Sequence, residues 1–174
     1  MKLKSIKLLS LAAISLMVLF SCKKKIIQDV HYSNVIYDLD TTAVYSAAAD
    51  KDKLKTPLQY ISSLYADLHQ EPIVSNVLND LTELSLAVGD KQMVNQMFLN
   101  DFLQSPTVQS VIPTKIEMRD DIEQFVKNTY LKFFLRNPTE YEKYFLTDLI
   151  ENDPDMTVEI IFTAFALSNE YQFY

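Results

Sequence analysis

Apolar residues recur at helical spacing through most of the chain. Ile122, Phe125, Val126, Thr129, Tyr130 and Phe133 fall at i, i+3, i+4, i+7, i+8 and i+11, which predicts one buried face of a helix from about Asp121 to Leu135. Val74, Val77, Leu78, Leu81, Leu84 and Val88 predict a second helix over Ile73–Val88, with Gly89 placed to close it as a C-cap. Met93 and Met97, with Val94, Phe98 and Phe102, mark a third stripe, and Tyr141, Tyr144, Phe145 and Leu149 a fourth. In the last segment Val158, Ile160, Ile161, Phe162, Ala164, Phe165, Leu167 and Tyr171 surround the helix on nearly every side, the pattern of a helix central in a bundle or facing a partner.

Capping chemistry marks helix starts independently of this pattern. Thr56-Pro57-Leu58-Gln59 puts a hydroxyl at the N-cap, Pro at the first helical position and Gln at N3. Asn137-Pro138-Thr139-Glu140 repeats the device, and Asp120-Asp121-Ile122-Glu123 is a version without Pro. The stretch Ser105–Met118, with Pro106 and Pro113, is expected to join two halves. Those halves look alike: Tyr60-Ile61-x-x-Leu64-Tyr65 followed by Glu71-Pro72 parallels Phe125-Val126-x-x-Thr129-Tyr130 followed by Asn137-Pro138. An offset of 65 residues relates the two tyrosines, and suggests repeats over 56–105 and 119–174. The expected fold is all-α: a helical bundle over 56–174, either single or built as two tandem three-helix units, after an extended tether over 22–55. Within that tether a short helix is expected at Thr42–Ala49, and the alternating Val30/Tyr32 and Val35/Tyr37 stretch would pair only with a partner.

Composition sharpens this. A single Gly among 174 residues disfavours β-rich and phosphate-loop folds, which need several glycines for left-handed turns. A single Cys excludes a disulfide framework or a multi-thiolate zinc site. Residues 1–21 have the layout of a secretory signal: Lys2, Lys4 and Lys7, an apolar run from Leu8 to Phe20, and Ser21. That run of 13 residues is short of the ~20 that span a bilayer. Leu19-Phe20-Ser21-Cys22 resembles the lipobox of bacterial outer-membrane lipoproteins, with Ser-Cys-Lys-Lys-Lys in the manner of Bacteroidota members. The resemblance implies that Cys22 is lipidated and opens the mature chain, and that the protein sits on the outer membrane. Lysines rather than an acidic string after Cys22 favour the periplasmic face. Loss of three Lys with the signal takes the net charge from −7 to about −10. Such a body is repelled by anionic head groups and is no nucleic-acid binder.

The second half carries another resemblance. Phe125-Val126-x-x-x-Tyr130-x-x-Phe133-Phe134-Leu135-Arg136-Asn137-Pro138-Thr139-x-x-Glu142, with the ending Ser168-Asn169-Glu170-Tyr171, resembles the helical modules of phycobilisome linkers and related bacterial surface proteins. Leu135 stands where those modules usually carry Gly. The likeness implies an all-α module that assembles or attaches other proteins.

Candidate chemistry is sparse. His31 and His69 lack the neighbours of a zinc or acid/base site. Glu151, Asp153 and Asp155 alternate like calcium ligands, but lack the turn Gly and the downstream Glu of a calcium loop. Arg136, at the end of an aromatic helix, is placed to cap carbonyls or pair with Glu140 or Glu142. Tyr141, Tyr144, Tyr171, Phe173 and Tyr174 form the candidate partner-binding set, since aromatics give large contact area at little entropic loss. The expectation is a lipid-anchored, non-catalytic accessory or scaffold subunit of an envelope protein complex, with no cofactor. A calcium- or carboxylate-dependent hydrolase, or a glycan or small-ligand binder, is the alternative.

Overall fold

The structure, a computed structural model, describes Tyr45 and residues 47–173. The proposed signal, Cys22, most of the tether, most of the helix expected over 42–49, and Tyr174 lie outside the described residues. The described chain is an all-α bundle: α1 (Pro57–His69), α2 (Ser75–Ala87), α3 (Lys91–Gln104), α4 (Pro106–Gln109), α5 (Lys115–Asp120), α6 (Ile122–Phe134), α7 (Glu140–Asn152) and α8 (Val158–Ala166). Short 3-10 turns stand at Ala48–Asp50 and Glu170–Gln172. Among the described residues no helix is long and apolar enough to cross a membrane.

The caps explain the starts. Thr56 and Gln59 form the reciprocal box that opens α1, with Pro57 inside it. The α7 box is made by Thr139 and Glu142, two residues later than the Asn137 start expected from sequence. It falls there because Glu142 must reach back to the Thr139 N–H, which it does at 2.8 Å. Asp121, not Asp120, caps α6 by accepting from the Gln124 N–H at 3.0 Å. The joining stretch is not plain linker. Thr114 and Glu117 cap α5, and Val108, Ile112 and Met118 are buried in the main core.

One apolar cluster runs through the bundle. α8 is its central helix, burying Val158, Ile161, Phe162, Phe165 and Ala166 against α3 and α6. Phe165 stacks on Phe134 at 4.7 Å and meets Tyr130 edge-on at 4.8 Å. Three expected stripes need correction. On α3 the seam is Val94, Phe98 and Phe102 with Leu99 and Leu103, while Met93 and Met97 are exposed. On α2 only Leu78 and Ser85 are fully buried, and Val74, Val77 and Leu84 are exposed. On α7 the buried positions are Leu146 and Ile150; Tyr141, Tyr144, Phe145 and Leu149 face water. Periodicity locates an apolar face but not whether another element covers it.

Gly89 does not act as the expected left-handed cap. α2 ends at Ala87 with Val88 extended at φ −92°, and Gly89 has no positive φ. The left-handed residues among those described are Gln70 (φ 59°) and Leu135 (φ 53°), each directly after a helix. These two are 65 positions apart. So are the ends of α1 and α6, and so are the ends of α2 and α7, each of these helices being 13 residues long. The buried set Tyr60, Ile61 and Leu64 of α1 matches Phe125, Val126 and Thr129 of α6, and Leu81-Thr82-x-Leu84 of α2 matches Leu146-Thr147-x-Leu149 of α7.

The end of the expected tether is fastened to the bundle. The Tyr45 N–H donates to the Leu135 carbonyl at 2.8 Å, the Lys55 N–H donates to the Gln172 carbonyl at 2.7 Å, and Leu54 bridges Phe173 in antiparallel fashion. The packed body therefore begins before residue 56.

Candidate functional site

Two polar centres brace the bundle, and one face is covered by no element among the described residues. The first centre is built on Arg136, which follows the left-handed Leu135. That turn aims the guanidinium back under α6, where the residue is only 4% exposed. Its Nη1 and Nη2 donate to Glu142 at 2.8 and 2.7 Å, and its Nε and Nη2 donate to Glu170 at 2.7 and 2.8 Å. A guanidinium carries donors in a rigid fork, so two carboxylates can each be held by two bonds. The group lies over the rings of Tyr130 and Phe134, at 5.2 and 5.6 Å. Lys51 joins from the N-terminal side, 3.5 Å from Glu170 and over Phe134. The hydrogen bonds from Arg136 hold the Glu142 carboxyl down to about 2, and donating to Glu142 and Glu170 raises the Arg136 guanidinium further. Sequence reasoning named Glu142 and missed Glu170, although the Ser-x-Glu-Tyr ending was a signal in plain view. The structure ties the Arg and that ending into one ion cluster.

The second centre surrounds Tyr171, which is 1% exposed. Its hydroxyl donates to Asp67 Oδ2 at 2.6 Å, Lys55 Nζ sits 3.9 Å from its ring centre, and Tyr60 meets it edge-on at 5.6 Å. The Tyr60 hydroxyl donates to the Ala166 carbonyl at 3.2 Å, and Lys132 Nζ donates to the Asp67 carbonyl at 2.7 Å. Burial pushes the Asp67 carboxyl up to about 6, against the Tyr171 hydrogen bond and the charges of Lys55 and Lys132. Burial likewise lowers the Lys55 ammonium to about 8. Tyr171 is thus a core residue and leaves the partner-binding set; its apolar ring and a satisfied hydroxyl are both used inside the fold.

His69 and the acidic loop are each tied to neighbouring elements. His69 stacks on Tyr65 at 3.9 Å and shares a hydrogen bond of 3.1 Å between Nδ1 and Thr107 Oγ1, tying α1 to α4. Glu151, Asp153 and Asp155 are not gathered as ligands, and no metal-holding group occurs among the described residues. The Asp153 carboxylate accepts the Asp155 N–H at 2.8 Å, while Arg119 Nη2 donates to the Asp153 carbonyl at 2.6 Å and Lys115 donates to that of Pro154. A backbone amide and two cations of α5 close this turn from within the protein. An open cleft of about 560 Å³ lies between the 109–117 segment and α6, lined by Ile112, Phe125 and Phe162 among others, and by none of Tyr141, Tyr144, Tyr171 and Phe173.

The outward face of α7 is where the remaining predicted residues meet. Tyr141 is 75% exposed, Tyr144 70% and Phe145 56%, with Leu149 beside them. The rings of Tyr141 and Phe145 stack at 6.3 Å. Residues four apart share a helix ridge, so Tyr141, Phe145 and Leu149 form one apolar ridge and Glu140, Tyr144 and Asp148 the next, continued by Glu151. Beyond the second ridge a groove of about 260 Å³ separates α7 from the start of α6, lined by Glu123, Glu140, Lys143, Thr147, Asp148 and Glu151 with Tyr144. Phe173 belongs elsewhere: its backbone bridges Leu54 at the N-terminal edge. Comparison of the chain with family models, with curated proteins and with solved structures finds no match.

Proposed function

We propose that this protein is a lipid-anchored, non-catalytic accessory or scaffold subunit of a bacterial envelope protein complex, held through Cys22 to the periplasmic face of the outer membrane. Its body on this reading is a duplicated helical unit on the tether that follows the lipid; Lys23, Lys24 and Lys25 suit the anionic head groups and the acidic body stands off them. The observation that carries the proposal is the exposed aromatic ridge of α7. Three large aromatic side chains on one helix face lie outside the core, and such residues dominate protein–protein contacts when a partner covers them. The polar centres support it as well, because their ionic and hydrogen-bonding groups are engaged in bracing the fold on which that face is displayed. The lipobox resemblance supports the anchor.

The test is purification of the full chain from membranes in a mild detergent, beside Cys22→Ser and Tyr144→Ser. The expected result is acyl labelling that Cys22→Ser abolishes, and a stoichiometric envelope partner that Tyr144→Ser releases. A monodisperse single chain, or labelling that persists without Cys22, would sink the reading.

A further inference from the structure

We propose that the outward face of α7 receives a basic amphipathic segment of a protein partner, one that lays apolar side chains along Tyr141, Phe145 and Leu149 and Lys or Arg side chains along Glu140, Asp148 and Glu151. This rests on the accessory-subunit reading and adds the chemistry of what is bound.

The two matched helices argue that this face is specialised. α2 and α7 have the same length and turn corresponding residues, Leu81 with Leu146 and Ser85 with Ile150, toward the interior. At the positions of Tyr141, Tyr144 and Phe145 in α7, α2 carries Asn76, Asn79 and Asp80, all exposed. The fold therefore accepts polar residues at these three positions, while Leu84 and Leu86, also exposed, stand at those of Leu149 and Glu151. Aromatics there contribute nothing to the core and expose apolar area that burial by a partner would remove from water.

Charge selects the occupant. Lys143 is the cation lining the groove, and its ammonium is taken by Glu123 in an ion pair. Glu140, Asp148 and Glu151 are exposed and form no ion pair among the described residues, and only Glu140 lies close enough to Lys143 to act on its charge. The hydroxyl of Thr147, in the same groove, has no hydrogen-bond partner among the described residues, whereas its counterpart Thr82 donates to the Leu78 carbonyl at 2.7 Å. A second copy docking by the same face would set these carboxylates against their own images, and an anionic lipid surface would be repelled. A segment with cations beside its apolar stripe meets both ridges at once.

The experiment measures binding of two fluorescent synthetic helices to the full-length protein in a neutral detergent, with protein-free micelles as the blank. The peptides share one Leu/Ala face and differ only in Lys or Glu flanking it. The Lys peptide should bind at least about tenfold tighter than the Glu peptide, with affinity that falls as salt rises. Phe145→Asp should weaken the Lys peptide by about tenfold, and Asp148→Lys combined with Glu151→Lys should reverse the preference. All three residues are exposed, and thermal melting of each variant checks that the fold is intact. Equal binding of the two peptides, a preference that survives the charge reversal, or self-association that Phe145→Asp abolishes would each overturn the proposal. A partner that co-purifies from membranes while the peptides show no preference leaves the accessory-subunit reading standing and removes this one. A clear preference without a co-purifying partner does the reverse.

Discussion

The two matched halves of the bundle share a backbone plan and stabilise it with different chemistry. α1 and α6 each run 13 residues, each stops at a left-handed non-glycine residue, and each is followed 5 residues later by a second 13-residue helix. In the first half the turn is held by rings: His69 stacked on Tyr65 and set edge-on to Phe102. In the second it is held by ions, Arg136 gripping Glu142 and Glu170. The position matching Arg136 is the exposed Glu71, and the position matching Glu142 is Val77. Helix length, hydrophobic register and turn geometry thus set the plan, and side chains at the turn are free to differ. The same freedom lets α7 carry Tyr141, Tyr144 and Phe145 where α2 carries Asn76, Asn79 and Asp80.

The sharpest way to break the comparison is to delete the two turn residues in turn. Arg136→Ala leaves Glu142 without its cation, Glu170 with Lys51 alone, and a buried cavity, and should cost about 3–5 kcal/mol, read as a shift in the denaturant midpoint. Glu71→Ala, at the matched position, should change stability by less than about 0.5 kcal/mol. Equal effects would mean that the second-half ion cluster is only a surface feature.

Acid titration should separate the halves by sign. Asp67, in the first half, has its carboxyl raised by burial from 3.8 to about 6. As pH rises from about 4 to about 6 the unfolded chain gives up this proton while the folded one keeps it, so stability falls across that window by about 1–3 kcal/mol. Groups facing it are Tyr171, Lys55 and Lys132; Lys55, lowered to about 8, adds stability only as pH climbs from about 8 towards 10.5. Glu142, in the second half, is held down to about 2, so its contribution is complete above 4.5 and is lost as pH falls through 2. Asp67→Asn should flatten the fall between pH 4 and 6 in thermal melts and leave the acid limb below 4 in place. A slope that survives Asp67→Asn assigns it to another group.

Much of the architecture is legible in the sequence, for physical reasons that also mark where legibility ends. The all-helical class follows from the single Gly and the 3.6-residue stripes, and the Thr56 box is visible because its partners are three residues apart. The Arg136–Glu170 pair spans 34 residues and depends on how the last turn folds back, so helical spacing does not pair the two and only the Ser168–Tyr171 ending points to Glu170. Tyr141, Tyr144, Phe145 and Leu149 have the spacing of a core face, yet the core uses Leu146 and Ile150. A helix with apolar residues on two sides does not declare which side the bundle takes, and tyrosine suits either.

Helix starts offer a transplant from one half to the other. α7 begins with the Thr139–Glu142 box, whereas the matched cap of α2 is Val74, which makes no side-chain bond and is 62% exposed. Thr139→Ala should lose about 1 kcal/mol, and Val74→Asp should gain up to about 1 kcal/mol because it supplies the missing acceptor and removes no packing. No gain from Val74→Asp would show that the extended backbone at residue 74 cannot present a cap.

The smallest effect tests the turn itself. Gln70 and Leu135 both hold φ near +55°, a region that strains a side chain with a Cβ, and glycine relieves that strain at the expense of a more flexible unfolded chain. Gln70 is exposed, so Gln70→Gly should stabilise by about 0.5–1 kcal/mol, seen as a rise in melting temperature. Leu135 is half-buried, and its carbonyl accepts the Tyr45 N–H. In Leu135→Gly the relief of strain is offset by lost side-chain burial, and the melting temperature should move less than for Gln70→Gly. If both substitutions stabilise equally, the leucine side chain contributes nothing to packing, and the second-half turn is held by Arg136 alone.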